Sequence, residues 1–278
     1  MSEQAQEVLQ QLCKAVETDQ IKLPTLPEVA LKIRDTVEKD SYSAAEIAEL
    51  LSQDTALTAR LLQLANSPLY RSRNEIISLQ QAVTRLGVRI VKDLVVMLAI
   101  KQAFNTSNRN IENQFREIWQ TSIDVAAISR VLAKTQSGMD AEQAVLAGLI
   151  HNIGTLPIIE MANRQPSLVA EPDNLLSIIR EIQAPLGEKI LSFWNFPQNL
   201  INVVAQWNNF QRSHPGQADY VDIIQAALLH SQHMPIEAPH DWNEIPAIEK
   251  LGLDPSIREF DTNTQQEMEL ARKSLMSI

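Results

Sequence analysis

The chain has 278 residues, a 45% hydrophobic share and a formal net charge of −10, long enough to bury a substantial core. A surplus of acid without any Lys/Arg cluster sets nucleic acid and anionic membrane surfaces aside, because both are recognised by neutralising phosphates. Cys13 is the only cysteine, so an internal disulfide is excluded and a reducing compartment is expected.

Helical periodicity runs through almost the whole chain, and no period-2 strand pattern stands out. Met1 to Glu17 reads as an amphipathic helix without the basic start or apolar core of a signal peptide, which together with the lone cysteine points to the cytoplasm. Pro24 and Pro27 bracket a turn, and Val29, Leu31, Ile33 and Val37 open a second helix. Ser43-Ala-Ala-Glu46 has the form of a capping box. Asp54 is placed to cap a helix over Thr55 to Ala65, whose stripe is Leu57, Leu61, Leu64 and Ala65. Asn66-Ser67-Pro68 ends it. Ser78 caps the next helix, closed by Gly87, and Leu94 to Ile100 reads as a buried core helix, far too short to span a bilayer.

Asn105 to Asn113 is polar and reads as a boundary. Longer helices are expected beyond it, over Phe115 to Lys134, Asp140 to Ala162, and Asn174 to Trp194 with a break near Pro185. Two more cover Pro197 to Phe210 and Tyr220 to Gln232. Met234 to Pro246 reads as loop, followed by an acidic tail with two helices. The expected fold is all-α: an N-terminal bundle over 1–108, a second helical subdomain over 109–235, and a tail over 236–278.

Two passages stand out, LPTLPEVALKIRDTVEKDSYSAAEIAELLSQDTALTARLLQLANSPLY at 23–70 and ISLQQAVTRLGVRIVKDLVVMLAI at 77–100. Taken together they resemble the HDOD proteins, the "HD-related output domain" family of bacterial signalling. The later pieces IWQTSIDVAAISRVLA, AVLAGLIHNIGTLPIIE and LGEKILSFWNFPQNLINVVAQW resemble the HD phosphohydrolase core to which that family is related. The resemblance implies an all-α fold and a signalling context, and fold alone does not imply catalysis.

An HD phosphohydrolase needs a metal held by converging His and Asp ligands, because the metal turns water into a nucleophile and neutralises phosphoryl charge. Carried across by the resemblance, the ligand positions fall at Thr121, at His151-Asn152, at Gln183, at Gln206-Trp207 and near Ser231. Only His151 survives of that set. Asn152 is close to isosteric with aspartate but neutral, and an amide cannot serve as a general base. The reading is therefore a vacated site with a polar remnant of Thr121, His151, Asn152, Gln183 and Gln206, holding no catalytic residue, metal or cofactor. His151 is expected to be a buried imidazole bonded to a neighbouring helix, and Asn152 to bridge backbone groups.

His230 and His233, with His214 or His240, have spacing open to a metal, but plain helix-end histidines are the better reading. Trp119, Trp194 and Trp207 fit core packing better than a pocket wall, and Asp124 is expected to be a solvated or hydrogen-bonded side chain. The leading functional expectation is a non-catalytic regulatory protein working through protein partners. Two alternatives remain: a sensor of a small molecule, such as a nucleotide, in the polar remnant, and a residual metal-dependent phosphohydrolase.

Overall fold

The structure is a computed structural model that describes residues 2–17, 28–38, 43–70, 75–106, 109, 111–164, 172–233 and 238–276. The α-helices, in chain order, are α1 (Glu3–Glu17), α2 (Glu28–Glu38), α3 (Ala44–Ser52), α4 (Thr55–Ala65), α5 (Leu79–Leu86), α6 (Val88–Ala103), α7 (Glu112–Lys134), α8 (Ala141–Ile150), α9 (Thr155–Arg164), α10 (Pro172–Phe193), α11 (Gln198–Gln206), α12 (Tyr220–His230), α13 (Pro246–Lys250) and α14 (Thr262–Met276). No strand occurs among the described residues, so the fold is all-α. The turn expected at Pro24 and Pro27 lies outside the described residues.

The chain forms two compact units, one of residues 26–103 and 261–278 and the other of residues 1–25 and 104–260. In the 26–103 unit the caps expected from sequence are present. Ser43 Oγ accepts from the Glu46 amide while Glu46 returns a carboxylate to the Ser43 amide, Asp54 accepts from the Leu57 amide at 2.9 Å, and Ser78 accepts from that of Gln81. Gly87 closes α5 at φ +83, a left-handed conformation that a Cβ would strain. Leu57, Leu61, Leu64 and Ala65 are all buried, and α6 is buried nearly all round from Val91 to Ile100, as suits a central helix.

Asn66 does more than end α4. Its amide donates to the Leu62 and Ile76 carbonyls and its oxygen accepts from the Ile76 amide at 2.8 Å, clamping the 75–78 segment so that Ile76 packs with Ala65 and Ala82. Helix α14 belongs to this unit. Ser274 Oγ accepts from the Leu69 amide, and Met268, Ala271 and Leu275 are buried.

In the second unit α7 and α8 pack so closely that a Cβ on Gly148 would sit 2.4 Å from the Ala126 Cα. Arg130 and Glu142 pair across them at 3.0 Å, both largely buried. Two expectations need correction. The helix expected over Asp140 to Ala162 breaks at a turn over 151–154, where the Ile153 and Thr155 amides reach back only three residues, to Ile150 and Asn152. The break expected near Pro185 is absent. Proline removes one intrahelical bond, but Ile182, Ala184, Leu186, Ile190 and Leu191 keep α10 anchored in the core on both sides of it. Asn195, at φ +52, then ends α10, with the Phe196 amide bonded to the Leu191 carbonyl. The stretch over 141–164 is by length and composition apolar enough to cross a membrane, and its apolar 18-residue window is 94% buried within the fold.

Candidate functional site

The turn over 151–154 places the His151-Asn152 pair against α7 and α11. His151 is 3% exposed; its Nδ1 lies 2.7 Å from the Gly148 carbonyl, so Nδ1–H donates there, and its ring meets Trp207 edge-on at 5.2 Å. The hydrogen bond is thus to its own helix rather than to a neighbouring one, because the ring folds back over the last turn of α8. Burial holds its pKa well below the usual value, at about 4, against the opposing pull of the Gly148 carbonyl. The chain is thus built around a neutral imidazole.

Asn152 bonds a side chain, not the backbone. Its Oδ1 lies 3.0 Å from Ser122 Oγ, which also lies 2.9 Å from the Ile118 carbonyl. One hydroxyl proton serves one acceptor at a time. Turning the amide so that Nδ2 faces Ser122 lets the hydroxyl accept from it and donate to Ile118. Thr121, the position matched to the early ligand, is half-buried and donates to the Glu117 carbonyl of its own helix. Its neighbour Ser122 is the residue that reaches Asn152. Gln183 accepts from the Thr155 hydroxyl at 2.9 Å, and Gln206 from Arg212 Nε at 2.8 Å. Ser231, at the place of the closing aspartate, donates to the buried Asp124 carboxylate at 2.5 Å, which also accepts from the Gln232 amide. Trp119, Trp194 and Trp207 are all core.

These positions do not form a ligand set for a metal. They are amides and hydroxyls engaged by other side chains and by the backbone, around one imidazole whose Nδ1 is bonded to its own helix. The unpartnered polar atom beside it, Trp207 Nε1, is an N–H donor with no lone pair for a cation.

His230 is likewise committed to packing. It stacks on Phe260 at 4.4 Å and meets Trp242 edge-on at 4.8 Å, while Nδ1 bonds the Ala226 carbonyl. Arg258 lies 3.6 Å over the Trp242 ring. Burial, with Arg258 adding to it, lowers the His230 pKa.

Among the described residues, the group with metal-ligating geometry is His214, Asp219 and Asp222. A guanidinium already fills the cation's place: Arg212 reaches Asp219 at 2.5 Å and Asp222 at 3.2 Å, and His214 Nε2 lies 2.9 Å from the fully buried Asp222. Asp219 and Asp222 also form the capping box that starts α12. Sequence reading named His214 only as a spare ligand and missed Arg212, Asp219 and Asp222. The Asp-x-x-Asp spacing ahead of an apolar run was the available signal.

A pH dependence follows from His151. Its folded pKa is depressed, so between about pH 6.5 and 4 the unfolded chain takes up a proton that the folded chain refuses, and stability falls as pH falls. Chemical denaturation should show this contribution dropping by roughly 2 kcal/mol from pH 7 to pH 5. His151→Asn should lose that part of the slope, and an unchanged slope would mean that the imidazole reaches solvent.

The HDOD domain family model matches residues 23–210. A candidate metal-dependent phosphohydrolase of Shewanella amazonensis SB2B has a solved structure that superposes with a TM-score of 0.81 at 30% identity, over 98% of this chain and 99% of that one. A candidate signal transduction protein of Marinobacter aquaeolei VT8 superposes with a TM-score of 0.69 at 21% identity, over 98% of this chain and 64% of that one. An uncharacterised protein of Treponema pallidum (strain Nichols) is 24% identical over 233 residues. The match covers 79% of this chain, which spans 44% of that relative's length.

Proposed function

The chain belongs to the HDOD family, and we propose that it works there as a non-catalytic regulatory protein, relaying a signal through contacts with other proteins. The observation that carries the reading is the state of the His151-Asn152 pair. The carboxylate that a hydrolytic centre requires is an amide, that amide is used by Ser122, and the surviving imidazole is buried, bonded and packed on Trp207. Hydrolysis of a phosphoester needs a nucleophile generator and charge neutralisation, and these side chains supply neither. The name borne by the S. amazonensis relative raises metal-dependent hydrolysis for this chain, and the residues present at the matched positions do not fit a metal.

Metal analysis of the purified protein, with an assay on generic phosphoesters, is the direct test. Purified protein should carry less than one-tenth equivalent of iron, manganese or zinc, and chelator should leave its Tm unchanged, since no metal would be linked to folding. Near-equimolar metal together with hydrolysis would overturn the reading. A nucleotide that raises Tm would instead favour the sensor reading, because only a ligand bound to the folded state does so.

Restoring the acid sharpens the test. Asn152→Asp should bind no metal and gain no hydrolysis, because Thr121, Gln183 and Gln206 still supply neither imidazole nor carboxylate. Its buried carboxyl, with no cation beside it among the described residues, should titrate high and cost about 2 kcal/mol near neutral pH. Stability should fall further as pH rises and the group is forced to ionise. Metal uptake with new activity would show that a full ligand set is present.

A further inference from the structure

We propose that a cleft remote in sequence from the His151-Asn152 pair binds a small anion, a phosphate or carboxylate group, through the ammonium of Lys250. The cleft is walled by Gln136, Ser137 and Met139 on one side and by Gln217, Ala218 and Lys250 on the other, and encloses about 180 Å³. That is below the roughly 300–1,000 Å³ typical of sites for drug-sized ligands, so its occupant is a small molecule or the anionic end of a larger one.

Both walls are fixed. Gly138 and Gly216 turn the two loops at φ +81 and +88. Gln136 Nε2 donates to the Leu251 carbonyl, tying the first loop to the end of α13, and the Tyr220 hydroxyl accepts from the Asp140 amide. A preformed site of this kind loses little ordering entropy when it is filled.

The charge arrangement favours an anion. Arg212 is committed to Asp219 and Asp222 at the start of α12. Among the described residues Lys250 has no carboxylate partner: its Nζ donates to the Gly216 carbonyl at 2.9 Å and lies 3.4 Å from His214 Nδ1, which is itself 3.1 Å from the Pro215 carbonyl. The Gly216 carbonyl holds the ammonium at the cleft, and among the described residues no carboxylate lies within ion-pair distance of it. Ser137 and Gln217, both on the lining, carry a hydroxyl and an amide, neutral donors suited to oxygen acceptors. Lys250 is the cation that an anion entering the cleft would meet.

The inference does not depend on whether the chain hydrolyses phosphoesters. It is tested with inorganic phosphate and acetate as separate probes, each against chloride at matched ionic strength, by thermal denaturation and by titration calorimetry of the full chain. Either anion should raise Tm saturably, half-maximal at about 1 mM. Lys250→Met should lose the calorimetric signal and the saturable rise, keeping only the general effect of an excluded salt, while Lys250→Arg should keep both. A response to acetate alone would mark a carboxylate site, and a response to phosphate alone a phosphate site. No saturable response in the native chain, or an equal one in a folded Lys250→Met, overturns the proposal. If Lys250→Met fails to fold, Gln217→Ala takes its place and should weaken binding at least threefold; unchanged affinity there overturns the proposal equally.

Discussion

Gly154→Ala should be the most damaging single-methyl change in the second unit, costing about 3 kcal/mol or more. Gly154 closes the turn that carries His151 and Asn152, and α10 crosses directly over it. A Cβ there would lie 2.0 Å from the Gln183 carbonyl oxygen and 2.7 Å from the Gly187 amide nitrogen. Those are the two groups that an α-helix joins across one turn, so the methyl would be driven into a backbone hydrogen bond, with no flexible side chain to move away. Gly187→Ala is the matched control, since its Cβ would approach no atom closer than 3.4 Å. Urea denaturation should show the Gly154 variant severely destabilised and the Gly187 variant within about 1 kcal/mol of the native chain. Similar losses in both would mean that α10 shifts freely over the turn, and that the turn does not fix the geometry of the pair.

Leu61→Ala should cost about 2–5 kcal/mol. Leu61 is fully buried at the centre of the α4 stripe, between Leu57 and Leu64, which are 0% and 1% exposed. Truncating it removes buried methyl groups and leaves a cavity that the neighbouring side chains close only in part. The expected readout is a lower denaturation midpoint with an unchanged dependence on denaturant. A loss well under 1 kcal/mol, with binding of a protein partner abolished, would instead make this stripe a docking surface.

Much of the fold was legible because local physics decides it. Ser43 and Glu46, Asp54, Ser78 and Gly87 act within a few residues of themselves, so side-chain type and spacing suffice to place the ends of α3, α4 and α5. The Leu57, Leu61 and Leu64 stripe has one buried solution on a helix. The family resemblance likewise rests on residues in order along the chain, and so does the finding of Asn152 where the resemblance expects an aspartate.

Other features depended on atoms distant in sequence. Whether a polar side chain is a ligand, a bridge or a filler is set by what faces it. Ser122 rather than Thr121 meets Asn152 because one residue is 100° of helix rotation. Gln183 is paired with Thr155, and Ser231 with Asp124 more than a hundred positions away. Pro185 reads locally as a break, yet the buried face of α10 outweighs one lost hydrogen bond. The terminal helices show the same division. The sequence by itself determined that the first 17 residues would be helical and that the tail would carry helices, through period and composition. Only tertiary structure decided that α14 joins the unit of residues 26–103 through Ser274 and Leu69, and that Lys250 comes to lie beside Gln136 and Gln217. Helix formation is a property of neighbours four residues apart, whereas the partner of a buried face or a lone charge is set by which surfaces meet when the chain closes on itself.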